Sequence, residues 1–426
     1  MSKIINGRLF VWSLRMDAVF IFLIMILSCN YLSAQRAVIT NSLDNTVSII
    51  DISTNEVIET INVGNDPFGI AVNDKGTKAY IANNDDNTVS VLDMSTYEIT
   101  DTISVEFSPT GMIISPNDSF LYVTNVIGGT INIIPTHIDT VTDTITVGFY
   151  PWGISISPEG NEVYVTNFFS NTVSVINTLI KTVTNTYDVG MAPIGITVSQ
   201  SGDRIYTVNS SDNTVSVLNS LDGSLVKNLD VGLSPYAIAL SPDGEKLFVS
   251  NFGENTITVI NAIEDEISDV ITVGLGPIGI DFSLDGNSIY VPSFNDSLVS
   301  VIDYDTHVVT QTINVGMQPA SFGNFIPNEM ISTTIETESN ELVKINAFPN
   351  PVKDFLSIVL TTEDNMIHSC IIDYEIYDSQ GRLIIQKQVA DSPNELIINV
   401  SELSHGNYFV KLTGDGWTET IDVVKM

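Results

Sequence analysis

The chain has 426 residues, of which 43% are hydrophobic and only 16% charged, and its formal net charge is −35. Such an acidic balance excludes nucleic acid and anionic membrane surfaces as partners for the bulk of the protein, and leaves cations, basic proteins and neutral glycans. Val, Ile, Thr, Ser and Asn are abundant, so an all-β fold is expected.

At the start, Lys3, Arg8 and Arg15 precede an apolar run from Ala18 to Leu27, and Leu32-Ser33-Ala34 offers small residues before Gln35. A basic segment, a short apolar run and a small-residue cut site describe a secretory signal peptide over residues 1–34. The run is too short to span a bilayer comfortably, so no membrane span is expected after its removal. Lipid attachment at Cys29 is the alternative, because Ile26-Leu27-Ser28-Cys29 loosely resembles a lipoprotein box. Cleavage leaves Cys370 as the only thiol, read as a small buried hydrophobe with no disulfide partner.

From residue 35 the chain repeats. Pro67, Pro109, Pro151, Pro193, Pro235, Pro277 and Pro319 recur every 42 residues, and Asn41, Asn83, Asn125, Asn167, Asn209 and Asn251 keep the same step. Gly64, Gly148, Gly190, Gly232, Gly274 and Gly316 follow it too, with Glu106 as the exception. Each repeat holds four short apolar runs separated by turn residues, so each is read as a four-stranded antiparallel blade. Six complete blades span 65–106, 107–148, 149–190, 191–232, 233–274 and 275–316. Three strands in 37–64 and one in 317–326 supply a seventh, so pairing of 320–325 with the N-terminal strands is expected to close a ring over 35–327. Closure removes two sheet edges and covers two blade faces.

The tetrapeptides Tyr80-Ile-Ala-Asn83, Tyr122-Val-Thr-Asn125, Tyr164-Val-Thr-Asn167, Tyr206-Thr-Val-Asn209 and Phe248-Val-Ser-Asn251 resemble the YVTN family of β-propeller repeats. That resemblance implies a seven-bladed propeller and leaves function open between surface-layer, binding and enzymatic scaffolds. Val291-Pro-Ser-Phe294 departs from the pattern, and its proline removes a strand donor.

The loop between second and third strands and the blade-to-blade connection are expected on one rim. That rim collects Phe68, Tyr150, Trp152, Phe168, Phe169, Tyr236, Phe252 and Phe294, read either as wedges between blades or as an apolar platform for a glycan or protein. A recurring acid, Asp44, Asp86, Asp212, Glu254 and Asp296, is read either as a turn cap or as a ring attracting cations or a basic partner. No metal-binding, phosphate-binding or nucleophile motif appears, and His137 and His307 fall in turns on the opposite rim. No cofactor, no metal and no catalysis are expected.

Residues 328–346 read as a linker rich in Ser, Thr, Glu and Asn. Beyond it the 42-residue register is lost and alternation returns, suggesting a small antiparallel sandwich over 347–426. Phe348-Pro-Asn-Pro351, Asp354, Leu356, Tyr377-Asp378, Gly381-Arg382, Ser401-Glu-Leu403, Gly406 and Tyr408-Phe-Val410 resemble the type A sorting domain of type IX secretion cargo. The resemblance implies recognition by the secretion machinery and delivery to the cell surface or outside the cell. The expected whole is a seven-bladed β-propeller with a small antiparallel β-sandwich, an exported binding scaffold. The alternatives are an adhesive surface-layer component and a lactonase-type hydrolase.

Overall fold

The computed structural model describes residues 35–327 and, after them, 344–348, 355–361, 372–378, 382–389, 395–399, 403, 406–414 and 417–425. The expected signal peptide, Cys29 and Cys370 lie outside the described residues. Residue contacts divide the chain into two units, Met1–Thr333 and Thr334–Met426.

The first unit is a seven-bladed propeller. One blade serves for all: Pro235–Leu240, Lys246–Asn251, Thr256–Asn261 and Glu266–Thr272 pair antiparallel in sequence order, the first innermost. Second and third strands are buried almost throughout because each sheet is covered on both faces by its neighbours, whereas the outermost strand is mostly exposed.

The repeating Asn and Gly are two halves of one device. Asn83 ends a second strand fully buried, and its side-chain amide donates to Thr88 Oγ1 and Ser90 Oγ at 3.0 and 2.9 Å. Its Oδ1 accepts the Gly64 amide at 3.1 Å. A Cβ on Gly64 would lie 2.5 Å from Asn83 Cγ, so only glycine lets the connection approach. Where Glu106 replaces that glycine, Asn132 replaces the usual hydroxyl residue, and its Oδ1 takes both the Glu106 amide (3.2 Å) and the Asn125 side chain (2.9 Å). Buried polar groups must find partners, and the exception finds them by a paired change.

The ring closes, but not along the expected ladder. Ser42 donates its amide to Gln318, Ala320 to Thr40, and Val38 to Phe325, so 317–325 does run beside the strand Arg36–Asn41. Between those bonds the segment bulges inward. Phe322–Asn324 leaves its antiparallel partner and pairs parallel with Gly69–Ala71 of the next blade. The cause is local: Ser321 and Gly323 both have positive φ, at 42° and 130°. Ser321 exchanges hydrogen bonds with Thr40, its amide donating to Thr40 Oγ1 (2.6 Å) and its Oγ accepting the Thr40 amide (2.9 Å). The sixth complete blade also departs. Its innermost strand shrinks to Asp281–Phe282, opposite Ser288–Ser293, where Pro292 lacks an N–H for the ladder.

The second unit contains two antiparallel sheets, consistent with the all-β class. One orders Lys344–Phe348, Phe355–Thr361 and Glu395–Asn399. The other orders Leu383–Val389, Ile372–Asp378, Gly406–Gly414 and Trp417–Lys425. Buried Ile376 and Val410 face each other across the second sheet. The strand Lys344–Phe348 begins inside the expected linker. No helix among the described residues is long and apolar enough to cross a membrane.

Candidate functional site: the channel and its aromatic mouth

The fold gathers seven of the eight aromatic candidates into one cluster, in which Phe294 takes no part. Trp152 is the hub, with ring centroids of Phe68, Tyr150, Phe168 and Tyr236 at 6.3, 5.7, 6.0 and 6.2 Å. Phe169 lies tilted beside Tyr150 at 4.8 Å, and Phe252 beside Tyr236 at 6.2 Å. The closing strand adds an eighth ring that sequence reasoning missed: Phe322 lies 5.7 Å from Tyr236 and 6.4 Å from Phe68. Phe68, Trp152, Phe168 and Tyr236 pack against the buried core, whereas Phe169 is 63% exposed. The cluster thus runs from the wet rim down into the mouth of the central channel.

The acids of the rim serve the turns. Carboxylates of Asp44, Asp86, Asp212 and Asp296 accept the backbone N–H of Met317, Asn65, Met191 and Leu275 at 2.5 to 2.7 Å. Ser170 Oγ does the same for Phe149. Glu254, one methylene longer, lies against Gly232. Each bond pins one blade-to-blade loop, and the pinned residue sends its side chain outward. Phe107, Phe149, Met191, Leu233, Leu275 and Met317 occupy that position in six of the seven blades, all exposed. Leu43, Ile127 and Phe169 extend the apolar ring from the adjacent turns.

Below the aromatic mouth the channel widens into a cavity of about 510 Å³, lined by the ends of the innermost strands and the turns that follow them. Ile113, Ser155, Thr197, Ala239 and Asp281 occupy the same place in successive blades, four residues past the repeat proline. Asp281 is the only ionisable residue of the lining. One carboxylate oxygen accepts the Phe282 amide (2.9 Å), and the other accepts the amides of Phe325 (2.7 Å) and Ile326 (2.8 Å). Asp281 thus receives two consecutive amides of the closing segment, just after the bulge. The group is open only toward the channel, and desolvation pushes its carboxyl up to about 7 against the pull of the three amides. Burial likewise pushes the Tyr236 hydroxyl up. Among the described residues, no group of three or more His, Cys, Asp or Glu is placed to hold a metal.

Residues 346–425 match the secretion system C-terminal sorting domain family. The chain carries a type IX export domain. It therefore engages the secretion machinery through this segment, and its destination is the cell surface or the extracellular space.

No curated protein matches the chain by sequence. The solved structures that share the propeller fold include three of differing description. Hydrazine synthase of Kuenenia stuttgartiensis is 20% identical over 61% of this chain and 90% of its own, with a TM-score of 0.56. A functionally unknown protein of Desulfotomaculum acetoxidans is 16% identical over 68% and 99%, with a TM-score of 0.59. A candidate 6-phosphogluconolactonase of Bacteroides fragilis is 16% identical over 69% and 98%, with a TM-score of 0.58. These likenesses show the fold alone. They nevertheless overturn the expectation of no catalysis, since two of the three scaffolds are described as enzymes and this architecture accommodates active sites.

Proposed function

We propose that the exported propeller is a docking scaffold whose rim binds a protein presenting an apolar face ringed by basic residues. The carrying observation is the ring of outward side chains at one repeat position, aliphatic as well as aromatic. Exposed apolar side chains repeated at one rim position suit a protein interface. A glycan needs flat rings to stack on, and Met191, Leu233, Leu275 and Met317 offer none. Charge supports the partner's sign. All seven Lys and Arg of residues 35–327 fall on strands and turns away from this rim, and Asp66, Asp85 and Glu106 add to its acids. Exposed apolar residues exist at the opposite end too, such as Leu179 and Ile263, but there they mingle with ion pairs such as Lys181–Asp143 and Arg204–Asp265.

The test compares an amphipathic Lys/Leu peptide, a Glu/Leu peptide of equal length and a glycan array on the wild type and on Phe149→Ser/Phe169→Ser. The expected result is binding of the Lys/Leu peptide alone, weakened at least about tenfold in the variant with an unchanged melting temperature. Glycan binding lost in the variant, or no preference between the peptides, overturns the reading.

A second reading, catalysis within the channel, is favoured by one observation. A carboxyl near 7 in a cavity suits proton transfer at neutral pH. The lining offers no Lys, Arg or His to receive a phosphate, so the substrate would be uncharged or cationic. Hydrolysis of an uncharged lactone panel, lost in Asp281→Asn, supports this reading, and turnover unchanged by the substitution removes it.

A further inference from the structure

We propose that the channel cavity is a binding site for a small organic cation, with an ammonium head held at Asp281 and an apolar body lying along the inner strands. This stands on the channel geometry and not on the rim. Asp281 is a carboxylate withdrawn from bulk water with no cation beside it among the lining residues. A desolvated charge of that kind is costly until it meets an opposite one. Its three backbone donors satisfy hydrogen bonds without cancelling the charge. An ammonium supplies both a positive charge and N–H donors.

The rest of the lining fits such a molecule. Ser155 and Thr197, at the same level in neighbouring blades, are partly exposed, and their hydroxyls, unlike their ladder-paired backbones, make no hydrogen bond within the described residues. Their hydroxyls can accept the remaining ammonium protons. Ile113, Ala239 and Phe322 provide apolar contact for the body. The size suits a small molecule. Competing ligands fit worse. An anion meets a carboxylate and no basic side chain. A neutral sugar leaves the charge uncompensated. A metal ion finds one carboxylate where it needs several oxygen ligands.

Hexylammonium, hexan-1-ol and hexanoate are the probes, titrated calorimetrically into the full exported chain at physiological salt. The expected result is one hexylammonium site per chain, with the alcohol and the carboxylate at least tenfold weaker. Asp281→Asn lowers hexylammonium affinity at least tenfold. Because that variant also alters the closing strand, Ser155→Phe is measured beside it. It fills the cavity without touching the closure and is expected to abolish binding at an unchanged melting temperature. Hexanol binding as tightly as hexylammonium, several weak equivalent sites reflecting the acidic surface, or binding that survives Ser155→Phe each overturn the proposal. The readout is affinity, so its failure is distinct from failure of the catalytic reading or of rim docking.

Discussion

The Asp281 carboxylate receives the backbone N–H of Phe325 at 2.7 Å, tying the innermost strand of the sixth complete blade to the segment that closes the ring. Its carboxyl is pushed up to about 7 by burial, so the folded state holds the proton more tightly than the unfolded chain does. The stability from this group is complete below the ordinary carboxylate pKa and is lost as pH rises through about 7. Thermal melts of wild type and Asp281→Asn should therefore shift relative to each other in the variant's favour between about pH 5 and pH 7.5. A difference independent of pH contradicts the assignment.

Gly323 is where the closing strand leaves its ladder, at φ 130°, and a Cβ there would collide with the Ile70 carbonyl oxygen. Gly323→Ala is expected to cost about 1–3 kcal/mol in urea unfolding, from the backbone conformation and the collision together. A neutral outcome would mean that the parallel pairing with Gly69–Ala71 does not exist in solution.

The Asn83–Gly64 pair predicts non-additivity. Gly64→Ala places a methyl against Asn83 Cγ, Nδ2 and Cβ, and Asn83→Ala removes the first two of those atoms, leaving the Cβ at 2.7 Å, while taking a donor from Thr88 and Ser90. Each single variant should be destabilised, and Gly64→Ala should cost less in the Asn83→Ala background. A double-mutant cycle should read a coupling of roughly 0.5–3 kcal/mol.

Within the aromatic cluster, Trp152 and Phe169 separate packing from exposure. Trp152→Ala opens the hub and should cost about 3 kcal/mol. Phe169→Ala, at the wet end, should change stability by no more than about 0.5 kcal/mol. Equal losses in chemical denaturation would show Phe169 to be part of the core.

Removing residues 346–425 deletes the sorting domain and is expected to leave the propeller in the periplasm. Fractionation with an antibody to the propeller reads this directly, and normal surface delivery of the truncated chain contradicts it.

The 42-residue step made the blades legible because a sheet covered on both faces admits only one spacing of Asn, Gly and Pro. The same frame placed the aromatics on one rim, and Pro292 marked the blade whose inner strand shortens. Phe322 and Asp281 escaped notice for a physical reason. In the innermost strands the register shifts between the repeat proline and the third residue after it, as between Pro109 and Met112, so simple alternation does not tell which side chains face the channel. The signal was present in the residues four past each proline, where Ala71, Ile113, Ser155, Thr197 and Ala239 are followed by a lone acid at 281. Phe322 belongs to Pro319-Ala-Ser-Phe-Gly-Asn324, whose positive φ at Ser321 and Gly323 sends it along its own path.

The shared blade also imposes an order in time. Arg36–Asn41 leaves the ribosome early, and its inward neighbour, 317–325, follows only after six further blades have been made. Until then one strand edge stays open and available to stray pairing, so the wheel locks as a late, long-range event, and the slowest step of refolding should respond to substitutions at Thr40 and Ser321 before it responds to those in any complete blade.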